Sequence, residues 1–534
     1  MRKYSLLTVL SLFIITFVGC NQPKDKKESK ITQKPNILII YTDDQGYGDV
    51  SALNPEAKFK TPNMDKLANE GVVFTDGHSS DAVCTPSRYS LLTGRYSWRT
   101  SLKKGVLRAD GPCLIEKGRM TIASMLKTKG YNTAMVGKWH LQMDFAGQPG
   151  KDRDWSQPFT DGPIEKGFDY FFGLPASMNF GVLTFLENDR VLDPPVLWTK
   201  KKKNTNPRTY KDASPADYRM TPPYQDEKMR GGVEVAPSFN DELVLETFAN
   251  KAVERINRLA QDAKKGTPFF LYVPLTSPHL PHCTHPDFQG RTECGNYGDF
   301  MEETDYRVGQ VLDALEANGL TENTLVIFSS DNGAETNYTY HRDTYGHYSN
   351  LHFKGGKRDI YEGGHRVPFI MRWPKGIKAG SKVNEPVCQV DFLATIADIV
   401  GASVPDNAGE DSYSLYPFIT NEASKYKSER AVIHHAASGH FAIRQGKWKL
   451  NMLRGSGGSF QPTFVEPGEG EASYELYDIE NDPGETTNLF FEHPDVVERL
   501  KNKISKIIIE GRSTTGEPQE FVKENWEQVT WMKL

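Results

Sequence analysis

The sequence predicts an α/β fold: a large, mostly parallel mixed sheet sandwiched by helices, joined to a smaller C-terminal antiparallel sheet that carries one helix. Three observations predict it. Apolar runs such as "NILIIYTDD" and "NTLVIFSSDNG" stop abruptly at acidic residues, as strands buried on both faces of a parallel sheet do. Segments with 3.6-residue apolar periodicity lie between these runs, so strands and helices alternate. Beyond about residue 425 the texture shifts to short strands separated by turns.

Taken in order, the first element is a processing signal. Arg2 and Lys3 open it, Leu6 to Val18 is mostly apolar, and "FVGC" ends at Cys20. This resembles a bacterial lipoprotein signal, residues 1–19, cleaved before a lipidated Cys20, with Phe17 where such signals usually carry Leu. The apolar run is shorter than the roughly 20 residues a membrane-spanning helix needs. Residues 20–34 read as a solvated tether, because "NQPKDKKESKITQK" has no apolar pattern. The expected location is therefore outside the cytoplasm, lipid-anchored to the bacterial outer membrane.

A chain of 534 residues favours one large domain with a smaller companion, here 35–424 and 425–534. Within the large domain, Ile37 to Tyr41 forms a strand that ends at Asp43 and Asp44. "YNTAMVGKWH" runs from strand into Lys138 and His140, and "PFFLYVPLTSPH" from strand into His279. Leu325 to Ser329 leads into Asp331 and Asn332. Phe300, Val308, Val311, Leu312 and Leu315 share one helical face. The stretch from Pro194 to Pro237, with "TKKKKNTNPR", reads as a solvated surface insertion. In the C-terminal part, Val496, Val497, Leu500, Ile504, Ile507 and Ile508 mark a helix over Asp495 to Ile509.

Ligands of open α/β sheets sit outside the carboxyl ends of the strands. Four strands ending in Asp-Asp, Lys-x-His, His and Asp-Asn therefore predict one shared site. The charge balance, 64 Lys+Arg against 69 Asp+Glu for a net −5, leaves no basic excess for nucleic acid, so an anion must be held by locally placed cations.

Lipidation of Cys20 leaves Cys84, Cys113, Cys283, Cys294 and Cys388, an odd number for an exported protein. Cys283 and Cys294 could bridge a short loop or stand as separate thiols. Cys84 lies in "DAVCTPSRYSLLTGRY", where Pro86 suits the first turn of a helix, so Cys84 is expected just before a helix whose amides favour an anion. A buried structural thiol and a nucleophilic thiolate are the ordinary readings. Neither explains nearby carboxylates, since negative charge raises a thiol's pKa.

"CTPSRYSLLTGR", Cys84 to Arg95, resembles the signature of type I sulfatases, members of the alkaline phosphatase superfamily in which this cysteine is converted to formylglycine (3-oxoalanine). The resemblance extends through "GYNTAMVGKWHL", "SSDNG", "GGKRDIYEGGHRVPFIMRWP" and "LYDIENDPGETTNL", covering nearly everything from Pro35 onward. It departs at Gln142, where many relatives carry Gly.

The resemblance implies a divalent cation, calcium with magnesium as the alternative, bound by Asp43, Asp44, Asp331, Asn332 and the modified Cys84. A hard cation prefers oxygen, and an aldehyde hydrate supplies oxygen where a thiol supplies sulfur. It implies further that a hydroxyl of the hydrate attacks sulfur in line, held by Arg88 and the metal. Lys138 and Lys357 neutralise the sulfate oxygens, Ser177 contacts sulfate, His279 binds the substrate and protonates the departing oxygen, and His140 takes a proton to expel sulfate. Lys357 rather than Lys354 matches the family lysine four residues before the aromatic of "YEGG", leaving Lys354 at the surface or the substrate edge.

The implied partners are a sulfated oligo- or polysaccharide, such as algal ulvan, carrageenan or a glycosaminoglycan, a formylglycine-generating or sulfatase-maturing enzyme, and a membrane through the lipid anchor. A phosphate or phosphonate ester hydrolase of the same superfamily and an inactive glycan-binding lipoprotein are the competing readings. The segment Glu335 to Asn350, with His341, Arg342, His347 and four tyrosines, suits anionic sugars or a packed surface loop.

Overall fold

The sheet is built around the strand Asn36–Asp43, whose eight residues are all buried. Its even residues Leu38 and Ile40 face one apolar layer, while Ile37, Ile39 and Tyr41 face the other. A strand apolar on both faces can be covered only by helices on both sides, which is the layered arrangement found. In this computed structural model residues 34–149, 151–199, 233–420, 430–524 and 526–532 are described. The signal peptide, Cys20, most of the tether, the Lys-rich part of the 194–237 stretch and the 424/425 boundary lie outside them.

Asn36–Asp43 pairs in parallel with Phe269–Pro278 on one side and Thr324–Ser330 on the other, Ile39 standing opposite both Tyr272 and Ile327. Asn132–Lys138 and then Tyr170–Leu174 continue the parallel set. Phe369–Arg372 pairs antiparallel with Thr324–Ser330, and two more strands lie beyond it, so the ten-stranded sheet is mixed but mostly parallel at its centre. The helices Val244–Ala263 and Gly295–Ala317 cover one face, burying Phe248, Ile256, Phe300, Val308, Val311 and Leu315. Cys84–Thr93, Ile122–Thr128 and Phe392–Val400 lie on the other face.

The second sheet has four antiparallel strands, Val432–His435, Phe441–Gln445, Trp448–Asn451 and Glu475–Asp478 in sequence order. The helix Pro494–Ile509 packs Leu500, Ile504 and Ile508 against it. Where it meets the catalytic sheet, the Ala82 amide donates to the His435 carbonyl at 3.0 Å. The same seam buries His78, His365 and His434. His78 Nε2 donates to Asp76 Oδ1 at 2.6 Å, and the rings of His365 and His434 stack at 3.7 Å. Among the described residues no helix is long and apolar enough to cross a membrane.

None of the five cysteines among the described residues forms a disulfide, so Cys283 and Cys294 stand as separate thiols, with Cys283 Sγ donating to Asp241 Oδ2 at 3.4 Å. The segment Glu335 to Asn350 begins on the wall of a pocket with Glu335 and Thr336 and then turns into the protein. It forms the helix Tyr338–Tyr345, in which His341 is buried against the Tyr297 ring at 4.1 Å. His347 is also buried, its Nε2 donating to Asp49 Oδ1 at 2.7 Å.

Candidate active site

Parallel pairing in register brings the carboxyl ends of the strands to one edge of the sheet, and with them the residues that follow. Asp43 ends its strand, and Asp44 turns away from it at a φ of 65°, a left-handed conformation that Asp tolerates better than most residues. Lys138 ends the neighbouring strand Asn132–Lys138, His279 follows Pro278, and Asp331 and Asn332 follow Ser330. Cys84 and Arg88 come from the opposite direction, on the helix Cys84–Thr93. Cys84 is the first residue of that helix rather than its flank, because Val83 is the extended capping residue and Pro86 falls third, still within the first turn.

Each of the three carboxylates has a buried cation. Lys138 Nζ donates to Asp43 Oδ2 at 2.6 Å, Lys357 Nζ to Asp44 Oδ2 at 2.7 Å, and Arg88 Nε and Nη2 to Asp331 Oδ2 at 3.0 and 2.7 Å. Arg88 Nη1 also donates to the Lys138 carbonyl at 3.3 Å. The Asp44 amide donates to Asp331 Oδ1 at 3.1 Å, tying two strand ends together. Lys357 reaches the cluster from a loop pinned by its amide on the Ala334 carbonyl at 2.8 Å. The glycines of "DNG" and "YEGG" allow that approach, since a Cβ on Gly333 would lie 1.9 Å from the Gly363 carbonyl oxygen.

Charge at this density shifts the titration of the three carboxylates and the thiol. Burial, then the Asp331 carboxylate, push Asp43 up to about 7 against the pull of Lys138. Burial raises Asp44 as well, with Lys357 opposing. At Asp331 burial is outweighed by Arg88, Lys138 and Lys357, which hold it below the usual carboxylate range. Burial and the Asp331 charge drive the Cys84 thiol up, so it is not a thiolate at neutral pH. Its Sγ lies 3.6 Å from Asp43 Oδ1.

The residues present fit a divalent cation. Asp43, Asp44, Cys84 and His279 place ligand atoms within 4.8 Å of one another. Asn332 Nδ2 donates to Asp44 Oδ1 at 2.8 Å, while its buried Oδ1 has no hydrogen-bond partner. An orphaned amide oxygen among carboxylates is an oxygen-rich donor set of the kind calcium and magnesium take.

His140 and His279 are buried and neutral. Burial, with Lys138 and Arg88 for His140 and with Lys357 and Lys138 for His279, holds both well below the ordinary imidazole value. His140 Nε2 donates to the Leu107 carbonyl at 3.0 Å, which leaves the buried Nδ1 without a partner and free to accept a proton. His279 Nδ1 donates to the Leu280 carbonyl, and its Nε2 lies 3.7 Å from Asp44 Oδ2. Ser177 Oγ is buried and also unpartnered.

Cys84, His279 and Lys357 open into a pocket of about 530 Å³. Its wall contains Asn179, Glu335 and Arg358, which sequence reasoning did not single out. Arg358 adjoins the motif lysine, but no periodicity or spacing marks it. Lys354 is half-buried, its Nζ 3.9 Å over the Tyr361 ring and donating to the Glu485 carbonyl at 3.1 Å. Gln142 adopts a φ of 68°, a left-handed conformation that glycine takes more readily.

Known proteins resemble this chain over most of its length. The family model described as Sulfatase matches residues 35–402, and one described as N-sulphoglucosamine sulphohydrolase, C-terminal, matches residues 352–510. The chain is 32% identical over 526 residues to an N-acetylgalactosamine-6-O-sulfatase of Bacteroides thetaiotaomicron, covering 95% of this chain and 99% of that one. It is 30% identical to arylsulfatase H of Canis lupus familiaris, covering 94% and 95%. A solved structure, described under metabolism of multiple glycosaminoglycans by Bacteroides thetaiotaomicron, superimposes with a TM-score of 0.75 at 30% identity over 89% of this chain and 99% of that chain. The chain therefore belongs to the sulfatase family and is a sulfuric ester hydrolase.

Proposed function

We propose that this sulfatase removes sulfate from a sulfated carbohydrate, with Cys84 oxidised to formylglycine and calcium or magnesium bound at Asp43, Asp44, Asp331 and Asn332. The observation that carries the reading is the pocket: the nucleophile position Cys84, with His279 and Lys357, shares it with polar Asn179, Glu335 and Arg358 and with apolar Val106, Phe180 and Leu280. A mixed wall of this kind suits a sugar ring, which presents hydroxyls at its edge and C–H groups on its faces. The 32% identity to an N-acetylgalactosamine-6-O-sulfatase supports the same class.

Formylglycine supplies an oxygen nucleophile and an oxygen ligand at a position where the thiol is held protonated. The cation supplies Lewis-acid stabilisation of negative charge. The remaining work falls to side chains whose places are described above. Arg88, locked by Asp331 and the Lys138 carbonyl, fixes a positive charge at the base of the site. Lys138 and Lys357 offer ammonium groups to the sulfate oxygens, and Ser177 offers an unspent hydroxyl. His140 accepts a proton at Nδ1, the nitrogen left free by its bond to Leu107. His279, whose Nδ1–H is held by the Leu280 carbonyl, binds the ester and takes up a proton at Nε2, the charged form being favoured by the anionic sulfate ester beside it, and that proton passes to the departing sugar oxygen.

Export with a lipid anchor at Cys20 would place this activity beside extracellular glycans. The test has two parts: mass spectrometry of the Cys84 peptide, and sulfate release from a panel of sulfated sugars beside a phosphodiester. Conversion of Cys84 and preference for a sulfated sugar are expected. An unmodified thiol in fully active protein, or faster phosphodiester cleavage, overturns the reading.

A further inference from the structure

The pocket wall carries a charged pair that catalysis leaves unused. Arg358 Nη2 donates to Glu335 Oε2 at 2.9 Å, and Nη1 donates to Oε1. Glu335 is almost fully buried and oriented further by the Thr336 amide and hydroxyl at 2.8 and 3.0 Å. The Arg358 side chain is 36% exposed toward the pocket.

Arg358 is also held in a conformation that an arginine avoids, with a φ of 81°. Two hydrogen bonds impose it. The Arg358 amide donates to the Ala82 carbonyl at 2.7 Å, and its carbonyl accepts from the Ala437 amide at 3.0 Å. Ala82 lies two residues before Cys84, and Ala437 belongs to the C-terminal sheet region, so both halves of the molecule fix where this guanidinium points. A strained residue that persists because its surroundings over-determine it marks a functional position.

We propose that Arg358 and Glu335 form a sugar-reading subsite that takes one neutral hydroxyl on the sulfated ring. This rests on the carbohydrate reading given above. A hydroxyl donates one hydrogen bond and accepts others, which matches a carboxylate oxygen and a guanidinium N–H side by side. Two of the five Arg358 N–H groups are spent on Glu335, and the rest are available to a ligand. Glu335 also lies 3.6 Å from Lys357, which Asp44 already pairs, so no cation here is left uncompensated for a uronate or a second sulfate, and the carboxylate would face the further anion. Asn179 Oδ1, buried on the same wall without a partner, accepts from another polar group of the ring.

The experiment crosses protein variants with substrate analogues. The substrates are 6-sulfated N-acetylgalactosamine, its 3-deoxy and 4-deoxy analogues, and 4-nitrophenyl sulfate, each measured as kcat/KM on the whole protein. One deoxy analogue should fall about 10- to 100-fold against the parent sugar on wild-type protein, as for a lost hydrogen bond to a charged group. Arg358→Ala should lose the same factor on the parent sugar but little more on that analogue. All values are taken relative to 4-nitrophenyl sulfate on the same protein, so a poorly folded variant does not mimic the effect. Arg358→Gly, which suits a φ of 81°, repeats the comparison without backbone strain. Additive losses on both deoxy analogues would remove the subsite alone. Turnover of the aryl sulfate with none of any sulfated sugar would remove the carbohydrate reading and the subsite together.

Discussion

Replacing Arg88 by Met tests how the site is held together. Arg88 and Asp331 are both fully buried, joined by two bonds at 2.7 and 3.0 Å. Arg88 also lies 3.8 Å from Asp43 Oδ1 and serves the Lys138 carbonyl. Removing it leaves a buried carboxylate without its direct partner, which costs about 3–5 kcal/mol. The orphaned carbonyl adds about 1 kcal/mol. Asp331→Asn in the same chain removes the stranded charge while keeping an acceptor for the Asp44 amide, so the double variant should recover about 1–3 kcal/mol through coupling. The assay is the denaturant midpoint, read with a chelator present so that no cation substitutes for the guanidinium. With calcium added, the cost of Arg88→Met should shrink, because the ion gives Asp331 a partner. A loss under about 1 kcal/mol in chelator, or a double variant no more stable than Arg88→Met, would refute the reasoning.

Chelation should abolish turnover yet leave the protein folded, because each of the three carboxylates keeps its buried cation. The stability lost should be only the linkage contribution, about 3–4 kcal/mol at saturating metal, and unfolding on chelation alone would contradict the pairing. His279→Ala should damage sugar desulfation about 10²-fold more than aryl sulfate hydrolysis, since a sugar alkoxide needs a proton and an activated phenolate does not. Equal losses remove that role. Burial keeps His78, His365 and His434 below the ordinary imidazole value, facing Asp76, Glu362, Arg366 and Lys449. Such groups bind protons only on unfolding, so their stability is complete above about 6.5 and is lost as pH falls below it. Melting measured from pH 8 to 5 should show that slope, and His434→Leu should flatten it; an unchanged slope counts against the seam histidines.

Much of this protein was legible in its sequence. Local runs determined the strand Asn36–Asp43, the helices Gly295–Ala317 and Pro494–Ile509, and the C-terminal antiparallel sheet, because side-chain periodicity reports burial residue by residue. The strand-end residues Asp43, Asp44, Lys138, His279, Asp331 and Asn332 were also readable, since the carboxyl ends of parallel strands share one edge, whereas the roles of Cys84, Arg88 and Lys357 came from the family resemblance. Other assignments needed tertiary structure. His341 and His347 carry the same letters as ligand histidines, yet Tyr297 and Asp49, close in space but far along the chain, make them packing residues. The charge pairing of Asp43 with Lys138, Asp44 with Lys357 and Asp331 with Arg88 joins residues up to 313 positions apart. Arg358 became visible only through its φ and its contact with Ala82 and Ala437. Periodicity and motif spacing record what each segment prefers by itself, whereas hydrogen-bond partners, buried charge balance and backbone strain depend on which distant segments meet, and the folded chain alone brings them together.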